Sequence, residues 1–262
     1  FTVGWSKFYG FSKEKLYSIF IQYDFIINLS FYLMILIKNA NIYAPIPMGT
    51  KDILLGGGKI LAISNHIDAF SDTKIIDVEN KYLVPGFIDQ HIHLIGAGGK
   101  HGFASMTPEI NVTDLVENGI TTVVGLLGTD GATRSIKSLY AKVKALNEDG
   151  VSAYMHTGYY GLEPVHITEN IQDDLIFIDP VLGCKIAITD IRSSYPTDIE
   201  LLRLLRQVKV GGMLAKKKGI LHIHLGNLST KMDSLFRIVK DYEFPIAHIS
   251  PTHVGRTLDL FD

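Results

Sequence analysis

The sequence carries a single cysteine, Cys184, among 262 residues. No internal disulfide can form, so the fold must rest on its core, and the usage fits a reducing compartment with the cytoplasm as the expected location. A surplus of either charge is also missing. Lys and Arg number 25 and Asp and Glu 27, for a net charge of −2; there is no basic excess of the kind that draws nucleic acid. Charged residues make up only 20% against 47% apolar, which argues against disorder, and the length suffices for one large domain or a large and a small one. A clean membrane span is absent too. Leu16 to Ile37 comes nearest, but Gln22, Asp24 and Asn28 interrupt it, and a charge at mid-bilayer is expensive. No small-residue cleavage site follows that stretch, as a signal peptide would require.

Residues 1–33 show no sustained period, whereas regular patterning begins at Met34. We read 1–33 as an extension outside the fold and Met34 as the expected true start. From 34 to 84 the pattern predicts a small β-domain, a partial β-sandwich, with strands at Met34 to Lys38, Asp52 to Leu55, Lys59 to Ile63 and Lys74 to Asp77. It is too short to close a good core alone and is expected to need strands from elsewhere in the chain. From 85 to 262, strands alternate with amphipathic helices. Strands are predicted at Phe87 to Leu94, Thr121 to Leu127, Ser152 to Thr157, Pro180 to Ile188, Ile220 to Leu225 and Ile246 to Ser250. Helices are predicted at Ser135 to Asn147, from a capping box at Thr197 to Glu200 onward, and at Ser234 to Tyr242. This is an α/β pattern with a parallel sheet: a doubly wound sheet or most of an eight-fold barrel.

The polar residues decide between the two. Pro85-Gly86-Phe87-Ile88-Asp89-Gln90-His91-Ile92-His93 ends in two histidines one residue apart, and in a strand both side chains share a face and can grip one metal ion. Thr129 and Asp130, Tyr160, Lys185, His222 and His224, and His253 likewise fall at or near strand ends. A barrel brings those ends to one mouth, so convergence on a metal favours the (β/α)8 TIM-type barrel, here with about six strands. Lone histidines such as His166 and His248 are read as ordinary surface or core residues. Spacing alone leaves His222 and His224 as alternatives, with His224 preferred because it lies nearer the strand end and precedes Gly226. Lys185 has a plain reading as a strand-end lysine with its ammonium in solvent; as a metal ligand it would first have to take up carbon dioxide as a carbamate. Arg192 and Arg256 follow ligand candidates at short spacing and suggest an anionic substrate, since a guanidinium fork suits a carboxylate. Gly96-Ala97-Gly98-Gly99 lacks the lysine-hydroxyl ending of a phosphate loop and is read as an active-site loop.

The run from Pro85 to His93 resembles the first-strand signature of the amidohydrolase superfamily. Gly86 to Gly96, Val123 to Asp130 and Pro251 to Val254 are similar to the isoaspartyl dipeptidases, metallopeptidases that split the β-aspartyl bond. The likeness runs from about Met34 to Asp262. It implies two zinc ions per subunit: His91 and His93 on the first, carboxylated Lys185 bridging, and His224 and His253 on the second. A metal-bridging hydroxide would be the nucleophile. Tyr160 would stabilise the oxyanion, and Thr129, Arg192 and Arg256 would bind an isoaspartyl dipeptide. Where the family has a glutamate for the substrate's α-ammonium, this sequence has Lys100. The family's general-base aspartate follows an eighth strand and is expected beyond residue 262, so the isolated chain is expected to fold poorly and show little activity. A full-length protein is expected to be a homo-oligomer without a membrane or nucleic-acid partner. The alternatives are a dihydroorotase- or hydantoinase-like cyclic amide hydrolase and a non-catalytic scaffold paralogue.

Overall fold

A computed structural model describes residues 34–261. The reading of residues 1–33 as an extension lies outside them. The chain divides into two compact units; the described part of the first covers residues 34–87 and 115–120, and the second covers 88–114 and 121–261.

The first unit is one mixed sheet. Its strands are β1 (Met34–Tyr43), β2 (Pro47–Gly56), β3 (Lys59–Ser64), β4 (Thr73–Asp77) and the short β5 (Tyr82–Leu83), in the order β3-β2-β1-β4 with β5 also on β1. The tight turn at Gly57-Gly58, both at positive φ, folds β3 back antiparallel on β2. Ile37, Ala40, Ile42, Ile53 and Val78 form the core, with Ile35, Leu55, Ile76 and Leu83 against it. β1 and β2 run well past their sequence-predicted ends. The ladder continues through polar residues, with Ala40 paired to Lys51 and Asn41 to Thr50. All five strands come from residues 34–83; among the described residues the sheet takes none from later in the chain.

The second unit is built on six parallel strands in sequence order: β6 (Phe87–Ile92), β7 (Ile120–Gly125), β8 (Ser152–Gly158), β9 (Val181–Ile188), β10 (Ile220–Leu225) and β11 (Ile249–Thr252). They are the strands of an incomplete (β/α) barrel. Both faces of β9 and β10 are buried, the signature of a covered parallel sheet. Between strands lie α1 (Ile136–Glu148), α2 (Ile171–Phe177), α3 (Asp198–Leu214) and α4 (Asp233–Lys240). Ser135 caps α1 through the Ser138 N–H, and Ile136, Leu139, Val143 and Leu146 are buried along one stripe. Thr197 and Glu200 form the predicted capping box of α3.

Three readings need correction. α2 escaped the sequence because it is only seven residues long and has two carboxylates in its first turn. Residues 246–248, taken as the start of the last strand, form a 3-10 turn after Pro245, closed by the His248 N–H on the Pro245 carbonyl, and the strand begins at Ile249. α4 ends at Lys240 rather than Tyr242. Among the described residues, no helix is long and apolar enough to cross a membrane.

Candidate active site

Strand register assembles the site. Across β9 and β10, Lys185 pairs with His222 and Ala187 with His224; across β10 and β11, His222 pairs with Ser250 and His224 with Thr252. Alternation then turns Lys185, His222 and His224 to the same face. On the other side of β9, Gly158 pairs with Lys185. Gly158 sits at φ +79, where a Cβ would lie 2.4 Å from the Lys185 carbonyl oxygen, so the approach of β8 to β9 at this level requires glycine.

The histidines form one contiguous array. Ring centroids are 5.3 Å apart for His91–His93, 5.2 Å for His91–His253 and 4.6 Å for His224–His253. Tyr160 continues the array, its ring 4.5 Å from that of His224. Deeper, His222 stands 2.9 Å from His91, Nε2 to Nδ1, and stacks on His156. Thus the five proposed histidine and lysine ligands and Tyr160 lie together, and His222 belongs to the cluster as well. His253 adopts a left-handed backbone at φ 68, ψ 21, a conformation that costs a non-glycine residue roughly 1 kcal/mol and is found preferentially at functional positions. Among the described residues, no three His, Cys, Asp or Glu side chains stand as a closed set of metal ligands; the imidazoles bond to each other and to their supports instead.

Lys185 is the most unusual member. It is 0% exposed, and its Nζ has no hydrogen-bond partner, which excludes the plain reading of an ammonium in solvent. Burial pushes its pKa down to about 7. Burial first and the Lys185 charge second push His91 down to about 2 and His156 to about 3. Burial lowers His222 to about 2 and His224 and His253 to about 4, with neighbouring cations adding to it. His93 moves down for the same leading reason. At neutral pH these rings are therefore neutral, the state in which imidazole binds a metal.

Two of the rings are oriented as metal ligands usually are. His93 Nδ1 lies 3.1 Å from the Leu126 carbonyl oxygen and donates to it, freeing Nε2. His224 Nε2 donates to Asp190 at 3.0 Å. A neutral ring has one N–H, so His224 Nδ1 accepts the Tyr160 hydroxyl at 2.8 Å. Asp190 in turn accepts Arg192 Nε at 2.9 Å and Nη2 at 2.6 Å. The Arg192 bonds lead in holding the Asp190 carboxyl well below the usual range. Burial raises Tyr160 to about 12, so its hydroxyl stays protonated. Buried Lys185 without a partner, neutral imidazoles and carboxylate- or carbonyl-anchored rings together fit a metal centre with a carbamate bridge.

Two cavities adjoin the cluster. One of about 830 Å³ is lined by His93, Lys100, Thr129, Asp130, Tyr160 and Arg192, among others; the other, of about 760 Å³, includes Lys100, Asp190, Arg192, Asn227 and Arg256. The glycine loop forms a wall of the first: Gly96 is at φ +81, with the Thr107 carbonyl oxygen 2.2 Å from where a Cβ would sit. Arg256 reaches Asn227 Oδ1 at 3.3 Å. Glu109 pairs with Lys142 at 2.7 Å and lines a separate cavity. His248 donates to the Gly219 carbonyl and His166 to that of Thr168, both ordinary side-chain-to-backbone bonds.

Sequence reading missed Asp190, His156 and Asp174. Asp190 lies two residues past the end of β9 and two before Arg192, and His156 lies near the end of β8; strand-end position was the available signal. Asp174 is wholly buried and accepts the N–H groups of Ile167 and Thr168 and the hydroxyls of Thr157 and Thr168. It ties down the loop that follows Tyr160. Nothing in the sequence marks it.

No family model matches the chain. A beta-aspartyl dipeptidase from Fervidobacterium islandicum is similar in structure, with a TM-score of 0.84 and 40% identity over 87% of this chain and 63% of that one. Its complex with the beta-Asp-Leu dipeptide gives 0.85 and 40% over 88% and 61%. Among curated proteins, a dihydroorotase of Lactobacillus gasseri is 26% identical over 83% of this chain and 60% of its own length. A dihydroorotase of Caldanaerobacter subterraneus is 28% identical over 79% and 56%. The chain spans about three fifths of the length of these relatives. Fold, strand-end histidines and these likenesses agree: the chain has the fold of an incomplete amidohydrolase barrel and is similar to a beta-aspartyl dipeptidase and to dihydroorotases.

Proposed function

We propose that this chain is the metal-bearing part of a zinc-dependent hydrolase that splits the β-aspartyl (isoaspartyl) bond of dipeptides. The observation that carries the proposal is Lys185: a fully buried amine with no hydrogen-bond partner, set among neutral imidazoles and over the Tyr160 ring. Its lowered pKa leaves much of it as free amine at neutral pH, the form that takes up carbon dioxide. As a carbamate, Lys185 would stand between an ion held by His91 and His93 and one held by His224 and His253. Bound there, the ions would lower the pKa of water and polarise the scissile carbonyl.

The chain's own residues supply the remainder. Tyr160 keeps its proton and donates to the oxygen on which charge develops; without metal its hydroxyl rests on His224 Nδ1, the lone pair a metal ion would take. Asp190 fixes the His224 tautomer and anchors Arg192. Arg192, Arg256 and Thr129 face the adjoining cavities, where guanidinium forks suit the substrate's carboxylates. The proposal extends to a cytoplasmic homo-oligomer, to 34–84 and 85–262 as the domain bounds, and to residues 1–33 as an extension.

Purified full-length protein should cleave β-Asp-Leu and spare α-Asp-Leu, lose activity to a chelator and regain it with zinc. Cleavage indifferent to chelation, or none after zinc is restored, would sink the proposal. A second reading, a cyclic amide hydrolase, is favoured by the curated dihydroorotase relatives.

A further inference from the structure

Among the described residues, three cations line the two cavities beside the histidine array, and the carboxylates there are already bonded; one of the cations, Arg192, is itself paired with Asp190. Lys100 and Arg192 line both, and Arg256 lines the second. Two carboxylates face these cavities, and each is already occupied. Asp190 accepts Arg192 and His224. Asp130 accepts the N–H groups of Ala132 and Thr133 and the Thr133 hydroxyl. Glu109 is paired with Lys142 elsewhere. Lys100 itself is exposed and has no carboxylate partner among the described residues.

An α-ammonium sits one carbon from its α-carboxylate. If arginines hold that carboxylate, the ammonium must lie within the same cavity, beside Lys100 and with no unpaired carboxylate among the described residues. We infer that the site takes a substrate with two carboxylates and no ammonium, a β-aspartyl-like amide whose α-nitrogen is absent or acylated. An N-succinyl amino acid has this form. This rests on the hydrolase reading above and narrows its substrate class. In the reaction, water oxygen bonds to the amide carbon and the C–N bond breaks. The nitrogen leaves with a proton from water, giving succinate and a free amino acid with no change of oxidation state.

The test compares succinyl-leucine with β-Asp-Leu, its counterpart bearing the amine, on the zinc-loaded full-length protein. Calorimetric titration with succinate and with aspartate supplies a readout independent of turnover. Wild type should favour succinyl-leucine in kcat/KM by at least about tenfold, equivalent to about 1.4 kcal/mol, and bind succinate more tightly than aspartate by a similar factor. Lys100→Glu should reverse both preferences and Lys100→Met should erase them. Equal or better use of β-Asp-Leu by wild type, or ratios unmoved by either variant, overturns the inference while leaving the hydrolase reading intact. If neither amide is cleaved but succinate still binds more tightly and Lys100→Glu reverses that order, the inference stands and the hydrolase reading fails. Equal binding of the two ligands, or binding of neither, overturns the inference.

Discussion

Replacing Lys185 with methionine should stabilise the metal-free protein, by an amount that depends on pH. In the fold, burial lowers the lysine pKa from 10.5 to about 7. Below 7 the amine is charged in folded and unfolded states alike, and the folded state bears the whole desolvation penalty. Between 7 and 10.5 the unfolded chain binds the extra proton, so raising the pH stabilises the fold. Above 10.5 both states are neutral and the penalty is gone. A shift of 10.5 − 7 units corresponds to a ceiling of about 5 kcal/mol. Methionine fills a similar volume without charge, and the unpartnered Nζ means that no hydrogen bond is lost. Denaturant titrations of the chelated full-length protein in carbon-dioxide-free buffer at pH 6 and pH 10 measure the effect. The histidines are common to both proteins and largely cancel in the difference. Lys185→Met should be the more stable by about 3 kcal/mol or more at pH 6, with the gap closing at pH 10. A variant less stable at pH 6, or a gap that ignores pH, would show that the amine has a partner and that the argument is wrong.

Tyr160→Phe should retain the fold and lower kcat by about 10²- to 10³-fold with a smaller change in KM, since one aligned donor to the developing oxyanion is lost; steady-state kinetics on the preferred amide read this. Asp174→Ala strips the partner from two N–H groups and two hydroxyls inside the protein and should cost about 3 kcal/mol in denaturant titrations. An accompanying fall in kcat is expected because the Tyr160 loop is tied to that carboxylate. Acid should weaken the metal-free fold as pH drops below 6.5. His91 and His222, at about 2 in the fold, leave the unfolded chain binding more protons there. A melting temperature flat from pH 7 to pH 4 would contradict this.

The strand-end pattern was legible because parallel strands reduce to short apolar runs and carry function at their C-terminal ends. The strand-end positions of His91, His93, Lys185, His224 and His253 place them at one mouth from sequence alone. A period of two could not tell His222 from His224, because both point inward; in the fold His224 bonds to Asp190, across 34 positions of sequence, and His222 to His91 and Ser250. Nor could sequence show that Lys185 lacks a partner, since burial depends on strands β8 and β10 closing on either side of β9. Asp174 was invisible for a different reason. Its role is to satisfy backbone N–H groups of a loop, and such groups leave no mark in side-chain pattern. The short α2 and the 3-10 turn at residues 246–248 failed for local reasons, length in one case and Pro245 in the other.

Metal content tests the central claim most directly. Full-length protein purified without chelator and analysed by plasma emission should carry about two zinc ions per chain, falling to one or none in His91→Ala and in Lys185→Met. Protein with no bound metal, which takes up none from zinc-containing buffer, would contradict the assignment of this histidine and lysine cluster as a metal centre.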